Sequence, residues 1–492
     1  MEPTKLKNYI NGKWVDPENT GYLDVENPTT LEVLAKVPLS TTAETNRAID
    51  AAQAAYPGWA ATPIARRIRP LFKLNELLRA NEVKLSRVLV AEMGKSIPDA
   101  SAEFKRIYEN IEVATGMPVL QQGDKIIGSS YDIDGEVLKL PIGVFAMIAP
   151  FNFPGMVPFW FLPYALATGN TYLVKASKQV PMTMQLITEY IDKSGFPPGV
   201  FSLVNGDKTV AEAFMDSSKV KGVSIVGSTP TCKIVAEKCA STNKRFQAMG
   251  GAKNHLVAMP DAKLDQVIRN MTTSCYGCAG QRCMASSAII GVGEMYDTLC
   301  ARFVEDSKKV IVADPLDSKV AGESLVMGPV ISKSAKDFII SMIETGVAEG
   351  ATLALDGRDI VVPGSEKGHF IGPTVFTDVK PGMKIHKTEI FGPVVVILKA
   401  DTLGDAIKII NDHEYGNGAS IYTQNGYWAR KFKLETHAGM IGINIGIPAP
   451  VAYLPFGGMK ESQYADIKAQ GKAVIEFFTE DKIITERYFK EN

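Results

Sequence analysis

The chain has 492 residues, enough for two or three domains with several apolar cores. With 46% hydrophobic residues, 22% charged residues and a net charge of −1, it reads as a globular enzyme and gives no reason to expect a nucleic-acid or membrane partner. Six cysteines are too few for a disulfide framework, and MEPTKLKNYINGKW at the N-terminus holds no apolar signal core, so free thiols and a cytoplasmic location are expected.

Residues 42–60 and 64–94 carry helical apolar spacing, with Arg and Lys on the opposite face. MGKS at 93–96 resembles the end of a phosphate-binding loop, but Leu89 stands where its first glycine belongs. Residues 123–140 are strand-like. From Leu140 to Val174 no residue is charged, which mimics a membrane span. Pro141, Pro150, Pro154, Pro158 and Pro163 would break a spanning helix repeatedly, so a strand, a PFNFP loop, a short buried helix and a second strand are expected instead.

IGVFAMIA, TYLVKAS, GVFSLVNG and VKGVSIVG read as short buried strands, with helices at MTMQLITEYIDKS and TVAEAFMDS. That alternation predicts an α/β fold with a parallel sheet of the nucleotide-binding kind, although no GxGxxG is present. A second alternating region starts near residue 252, with strands at HLVAMPDA, SSAIIGVG, TVFTDV, PVVVILKA and GASIYTQN. The final stretch, VIEFFTEDKIITERYF, is again strand-like. It and residues 123–140 either pair across subunits or form edges of their own sheet.

Three motifs can be set aside or left open. HEYGN at 413–417 lacks the second histidine of a zinc-protease helix, and no metal site is expected. Cys275 and Cys278 form a CxxC without a second pair, which reads as a tightly packed turn. Cys283, in AGQRCMA beside Gly277 and Gly280, fits a thiol presented on a small-residue loop. By itself it reads as readily as a buried apolar residue.

The order of the remaining motifs changes that balance. FNFP at 151–154, GST at 227–229, GQRC at 280–283, EIFGPV at 389–394 and PFGG at 455–458 follow one another along the chain. This set resembles the aldehyde dehydrogenase superfamily over nearly the whole length. MGGAKNH at 249–255, APFNFPGMVPFW at 149–160 and GINIGIPAP at 442–450 resemble most its methylmalonate/malonate-semialdehyde branch, which acylates coenzyme A. The resemblance implies a Rossmann-type cofactor domain (1–122 and 141–251), an α/β catalytic domain (252–460) and oligomerisation strands (123–140 and 461–492). It also implies a dimer or tetramer of this chain.

By the same resemblance Cys283 is the nucleophile and the Asn152 amide, with the Cys283 backbone N–H, receives the oxyanion. Arg106 and Arg282 hold a substrate carboxylate, with Phe153 and Phe456 beside it. Ala149, Phe151, Lys175, Ser177, Gly227, Ser228, Glu389 and Phe391 bind NAD or NADP. Hydrolytic relatives carry a glutamate where this chain has Met249. A thioether cannot prime water, so the thioester on Cys283 is expected to pass to coenzyme A. Glu389 could substitute as a base, which would make the enzyme a hydrolytic semialdehyde dehydrogenase. A catalytically silent protein on the same scaffold is the reading of another class. Lys178 replaces the glutamate usual after this strand; it either attracts the 2′-phosphate of NADP or points to solvent.

Overall fold

The computed structural model describes residues 3–489 apart from 19, 20, 321, 322 and 324. Five parallel strands form the centre of the eight-stranded first sheet, in the spatial order Arg245–Met249, Val220–Val226, Val144–Ile148, Thr171–Lys175 and Phe201–Leu203, with short antiparallel strands at both edges. The five are almost wholly buried on both faces, which is why each reads as an unbroken apolar run rather than an alternation. Chain order runs outward from Val144–Ile148 in one direction, then jumps to Val220–Val226 on its other side. Ligands of such sheets sit at that reversal, beyond the carboxyl ends of the two strands. Here those ends are Ala149–Phe151 and Gly227–Ser228.

The second sheet places Asn254–Ala258, Ser286–Val292, Val394–Ala400, Thr374–Thr377, Gly418–Tyr422 and Met440–Ile443 in parallel, with Thr352–Leu355 antiparallel at one edge. All nine expected strands are present. The stretch 64–94 is not one helix but three, Ile64–Arg67, Arg69–Ala80 and Glu82–Met93. Pro70 has no N–H to continue the preceding turn, and Asn81 adopts a non-helical ψ, so the apolar periodicity survives while the axis breaks twice.

Lys125–Ser130, Ile133–Pro141 and Thr479–Arg487 form a separate antiparallel sheet, so these segments do pair with each other within the chain. Within 461–492, Gln463–Tyr464 joins the edge of the first sheet beside Arg245–Met249, and Ala473–Phe478 is helical. The uncharged stretch folds as a strand, two short buried helices and a strand, and among the described residues no helix is long and apolar enough to cross a membrane.

Candidate active site

Cys283 follows a turn that few sequences could make. The helix Leu264–Tyr276 ends at Gly277, and Cys278, Ala279 and Gly280 all take positive φ, at 53°, 53° and 71°. A side chain at Gly280 would lie 2.3 Å from the Gly392 carbonyl oxygen, so only glycine fits. Cys278, in this turn, and Cys275, in the last turn of the helix before it, are both buried free thiols.

The loop is pinned from three directions. The Cys283 carbonyl accepts from Asn254 Nδ2 at 2.8 Å and from Asn417 Nδ2 at 2.9 Å. Gln281 Oε1 accepts from the Ile331 amide at 2.9 Å. Its carbonyl accepts from Asn152 Nδ2 at 3.0 Å, which brings the expected oxyanion donor against the nucleophile loop. Burial pushes the Cys283 thiol up to about 12, with the Glu389 carboxylate adding to the rise and the Arg282 guanidinium opposing it. This environment favours the thiol over the thiolate, so catalysis needs a proton acceptor.

Asn152 rests on a buried ion pair. Lys95 Nζ donates to the Asn152 carbonyl at 2.7 Å and to Glu103 Oε2 at 2.6 Å, and both charged side chains are 0% exposed. Glu103 Oε1 in turn accepts from the amides of Gly155 and Met156, each at 2.9 Å. The Phe153 ring covers the ammonium at 4.0 Å. The lysine of the MGKS motif thus organises the FNFP loop, a role its sequence neighbours did not announce.

Two cavities meet at Cys283. One, of about 510 Å³, is lined by Arg106, Phe153, Arg269, Arg282 and Ile447 among others. The other, of about 600 Å³, is lined by Ala149, Phe151, Asn152, Ser177, Gly227, Ser228, Glu389 and Phe391. A thiol between two chambers can react with a ligand from one while the other holds a redox partner.

In the first chamber Arg106 is bound by Glu109 at 2.7 Å, and Arg282 Nη2 donates to the carbonyls of Thr273 and Ser274 at 2.7 and 3.0 Å. The Arg282 Nε is buried without a partner among the described residues. Phe456 lines neither cavity: it is 3% exposed and packs on Trp160 with ring centroids 4.3 Å apart. The PFGG signature therefore supports the wall rather than forming it. Arg269, which no sequence motif marks, also lines the chamber.

The second chamber fits a dinucleotide. Ser228 is the N-cap of the helix Thr229–Ser241 but does not cap it; its hydroxyl pairs with that of Thr231 at 2.9 Å. No side chain caps the first turn of that helix, which suits its N-terminus to an anion such as a pyrophosphate. Phe151 and Phe391 meet edge to face at 5.7 Å, and Phe391 holds a positive φ of 55°. Such a backbone outlier costs about 1–3 kcal/mol and is retained where it aims a side chain. Glu389 accepts from the Ala252 amide at 2.9 Å; burial raises its carboxyl to about 7, against the opposing pull of that bond and of Lys253. Burial likewise lowers Lys253 to about 7, and its ammonium donates to the Ile385 and Thr388 carbonyls at 3.0 and 2.9 Å.

Lys175 and Lys178 do not line this chamber, although Ser177 and Gln179 between and beyond them do. Lys175 is buried, its ammonium lowered to about 8 by burial, while Lys178 is exposed. Met249 closes its strand as a 4% exposed core residue, and Gly250 after it reaches the chamber wall.

A cysteine between a dinucleotide crevice and an arginine-bearing chamber is the constellation of a thiol-dependent dehydrogenase. The chain belongs to the aldehyde dehydrogenase family, whose model matches residues 14–484. Among curated relatives it is similar to malonate-semialdehyde dehydrogenase 1 of Geobacillus kaustophilus, 41% identical over 99% of this chain and 98% of that protein. It is 40% identical to malonate-semialdehyde dehydrogenase 1 of Shouchella clausii over 100% of this chain and 98% of that one. A putative methylmalonate-semialdehyde dehydrogenase from Sinorhizobium meliloti, solved with NAD, superposes with a TM-score of 0.97 at 40% identity, covering 99% of both chains. The methylmalonate-semialdehyde dehydrogenase of Oceanimonas doudoroffii gives 0.96 at 38% identity, again over 99% of both.

Proposed function

We propose that this enzyme oxidises a short carboxylated semialdehyde, malonate or methylmalonate semialdehyde, and delivers the acyl group to coenzyme A. The observation that carries the reading is Met249: the residue ending the Arg245–Met249 strand is a buried thioether and not a carboxylate. The activity for which the curated relatives are named supports the same substrate class.

The steps follow from the residues. Once deprotonated, Cys283 adds to the aldehyde carbon, a C–S bond forms, and the carbonyl pair moves to oxygen. The Asn152 amide and the Cys283 N–H meet that charge. Arg282 and Arg106 hold the substrate's carboxylate so that the aldehyde carbon faces the sulfur. Gly227, Ser228, Glu389, Phe151 and Phe391 would hold the nicotinamide dinucleotide, which supplies the hydride acceptor. A thioester then remains on Cys283. A 3-carboxylate departs as CO2, leaving its bonding pair on the adjacent carbon, which takes a proton. The coenzyme A thiol adds, and Cys283 leaves as thiolate. Supplying each semialdehyde with and without coenzyme A, with NAD and with NADP, tests the reading; acetyl-CoA or propionyl-CoA must appear only when coenzyme A is present.

One observation favours a hydrolytic alternative: the Glu389 carboxyl, lifted to about 7, shares the second chamber with Cys283. If Glu389 primes water, free acid forms without coenzyme A and Glu389→Gln removes it. Our reading gives no such acid to remove.

Lys178 bears on the choice of nicotinamide. Its charge acts on both Lys175 and Asp207, so it lies near a lysine that the family resemblance places among the dinucleotide-binding residues. Lys178→Glu is expected to move the NADP/NAD ratio of kcat/KM towards NAD by about tenfold, the scale of one charge-assisted contact. An unchanged ratio means that Lys178 serves solvation alone.

We also infer a homo-oligomer joined through the separate three-stranded sheet. Ile127, Tyr131 and Ile483 on it are 81%, 95% and 76% exposed, and Lys125–Ser130 leaves an open strand edge. Light scattering must then report a dimeric or tetrameric mass; a monomer rejects this.

A further inference from the structure

The arginine chamber is larger, and more positive, than a three-carbon acid requires. Its volume of about 510 Å³ lies within the range of about 300–1,000 Å³ that accommodates ligands of many more atoms. Its two carboxylates are already satisfied. Glu103 is tied to Lys95 and two amides; Asp99 accepts from the Ser96 hydroxyl at 3.0 Å and the Cys278 amide at 3.2 Å. Two of its three guanidinium groups are held in place, Arg106 by Glu109 and Arg282 through its Nη2 by the Thr273 and Ser274 carbonyls, with the Arg282 Nε left over for the short acid.

Arg269 is the exception. It is exposed, and among the described residues its guanidinium has neither a hydrogen bond nor an ion pair. The acid one turn earlier on its own helix, Asp265, is taken instead by Arg302 at 2.8 Å. Arg269, Thr273 and Ser274 share the face of the Leu264–Tyr276 helix that lines the chamber. Arg282, next to the nucleophile, is bonded to the carbonyls of the last two. Arg269 therefore starts about one helical turn, roughly 5 Å, farther from Cys283, and helical side chains lean towards the N-terminus, farther still.

We propose that Arg269 is a second carboxylate anchor, which extends the substrate range to longer ω-oxo acids of about five to seven carbons. A chain of that length spans the added turn, so its carboxylate meets Arg269 when its aldehyde carbon is at Cys283. The chemistry deepens the function proposed above and rests on it. The aldehyde carbon bonds to sulfur, hydride passes to the oxidised nicotinamide, and the coenzyme A thiol displaces Cys283, losing its proton to solvent. With the carboxylate no longer β to the thioester carbonyl, no C–C bond breaks and the product is an ω-carboxyacyl-CoA.

The test compares kcat/KM for ω-oxo acids of three to seven carbons, and for unbranched alkanals of equal length, in the wild type, Arg269→Gln and Arg269→Lys. In the wild type the longer acids must exceed the matched alkanals by about tenfold or more, the scale of a charge-assisted hydrogen bond. Arg269→Gln must remove that advantage and lower kcat/KM for the five- to seven-carbon acids several-fold more than for malonate semialdehyde, because the three-carbon acid stays with Arg282 and Arg106. Arg269→Lys must keep part of it. A wild type with no preference for the longer acids overturns the inference. So does an Arg269→Gln whose acid-to-alkanal ratios are unchanged, or whose only change is a raised KM for coenzyme A. Malonate semialdehyde with coenzyme A is the internal control: its failure in the wild type rejects the proposed function itself.

Discussion

Cys283→Ala is expected to reduce aldehyde-dependent formation of reduced nicotinamide by at least about a thousandfold, as loss of a covalent nucleophile does. No other cysteine is placed to take over. Of the six cysteines, Cys232, Cys239, Cys275 and Cys278 are buried, and Cys300, on the Met295–Ser307 helix, lines neither chamber. Cys283 alone borders both. The turn that presents it depends on Gly280 and on the asparagines at its carbonyl, not on the thiol, so the variant should unfold at the wild-type temperature. Spectrophotometric assay at saturating aldehyde checks the rate, and thermal unfolding checks the fold. Unaltered turnover would mean that sulfur is not the attacking atom. No activity in the wild type either would favour a silent scaffold.

Lys95→Met should affect both stability and rate. It leaves the Glu103 carboxylate 0% exposed with no opposing charge, which costs about 3–5 kcal/mol in other buried pairs. It also removes the donor to the Asn152 carbonyl, so the amide that meets the oxyanion loses its support. The fall in kcat should approach that of Asn152→Ala, about 10²–10³, the cost of one oxyanion donor. The double variant Lys95→Met, Glu103→Gln separates the effects. Stability should largely return because no buried charge remains, while kcat stays low because nothing replaces the Lys95 to Asn152 bond. Denaturant titration and steady-state kinetics report the two quantities. Full activity in the double variant would show that the lysine matters only to folding.

The parallel sheets were legible in the sequence because strands buried on both faces must be apolar throughout, and turn residues mark their ends. The break of 64–94 into three helices was less so, since periodicity records which face is buried and not whether the axis continues. The ordered motifs located Cys283, Asn152 and the wall of the second chamber. They gave no sign that Phe456, in its conspicuous PFGG setting, packs on Trp160. The supporting residues were largely silent. Lys95 looked like a fragment of a phosphate loop. Asn254 and Asn417 lie 29 and 134 residues from Cys283 and meet it only through the second sheet. Arg269 carried the spacing of an ordinary solvated helix face, and only the chamber distinguishes it.

The step that defines this enzyme is how the acyl group leaves sulfur. The most direct measurement mixes enzyme, malonate semialdehyde and oxidised nicotinamide rapidly without coenzyme A, and follows absorbance. A burst of about one reduced nicotinamide per active site, then near arrest, followed by sustained turnover when coenzyme A is added, is the expected course. Steady release of free acid at the full rate with no thiol acceptor present would contradict it.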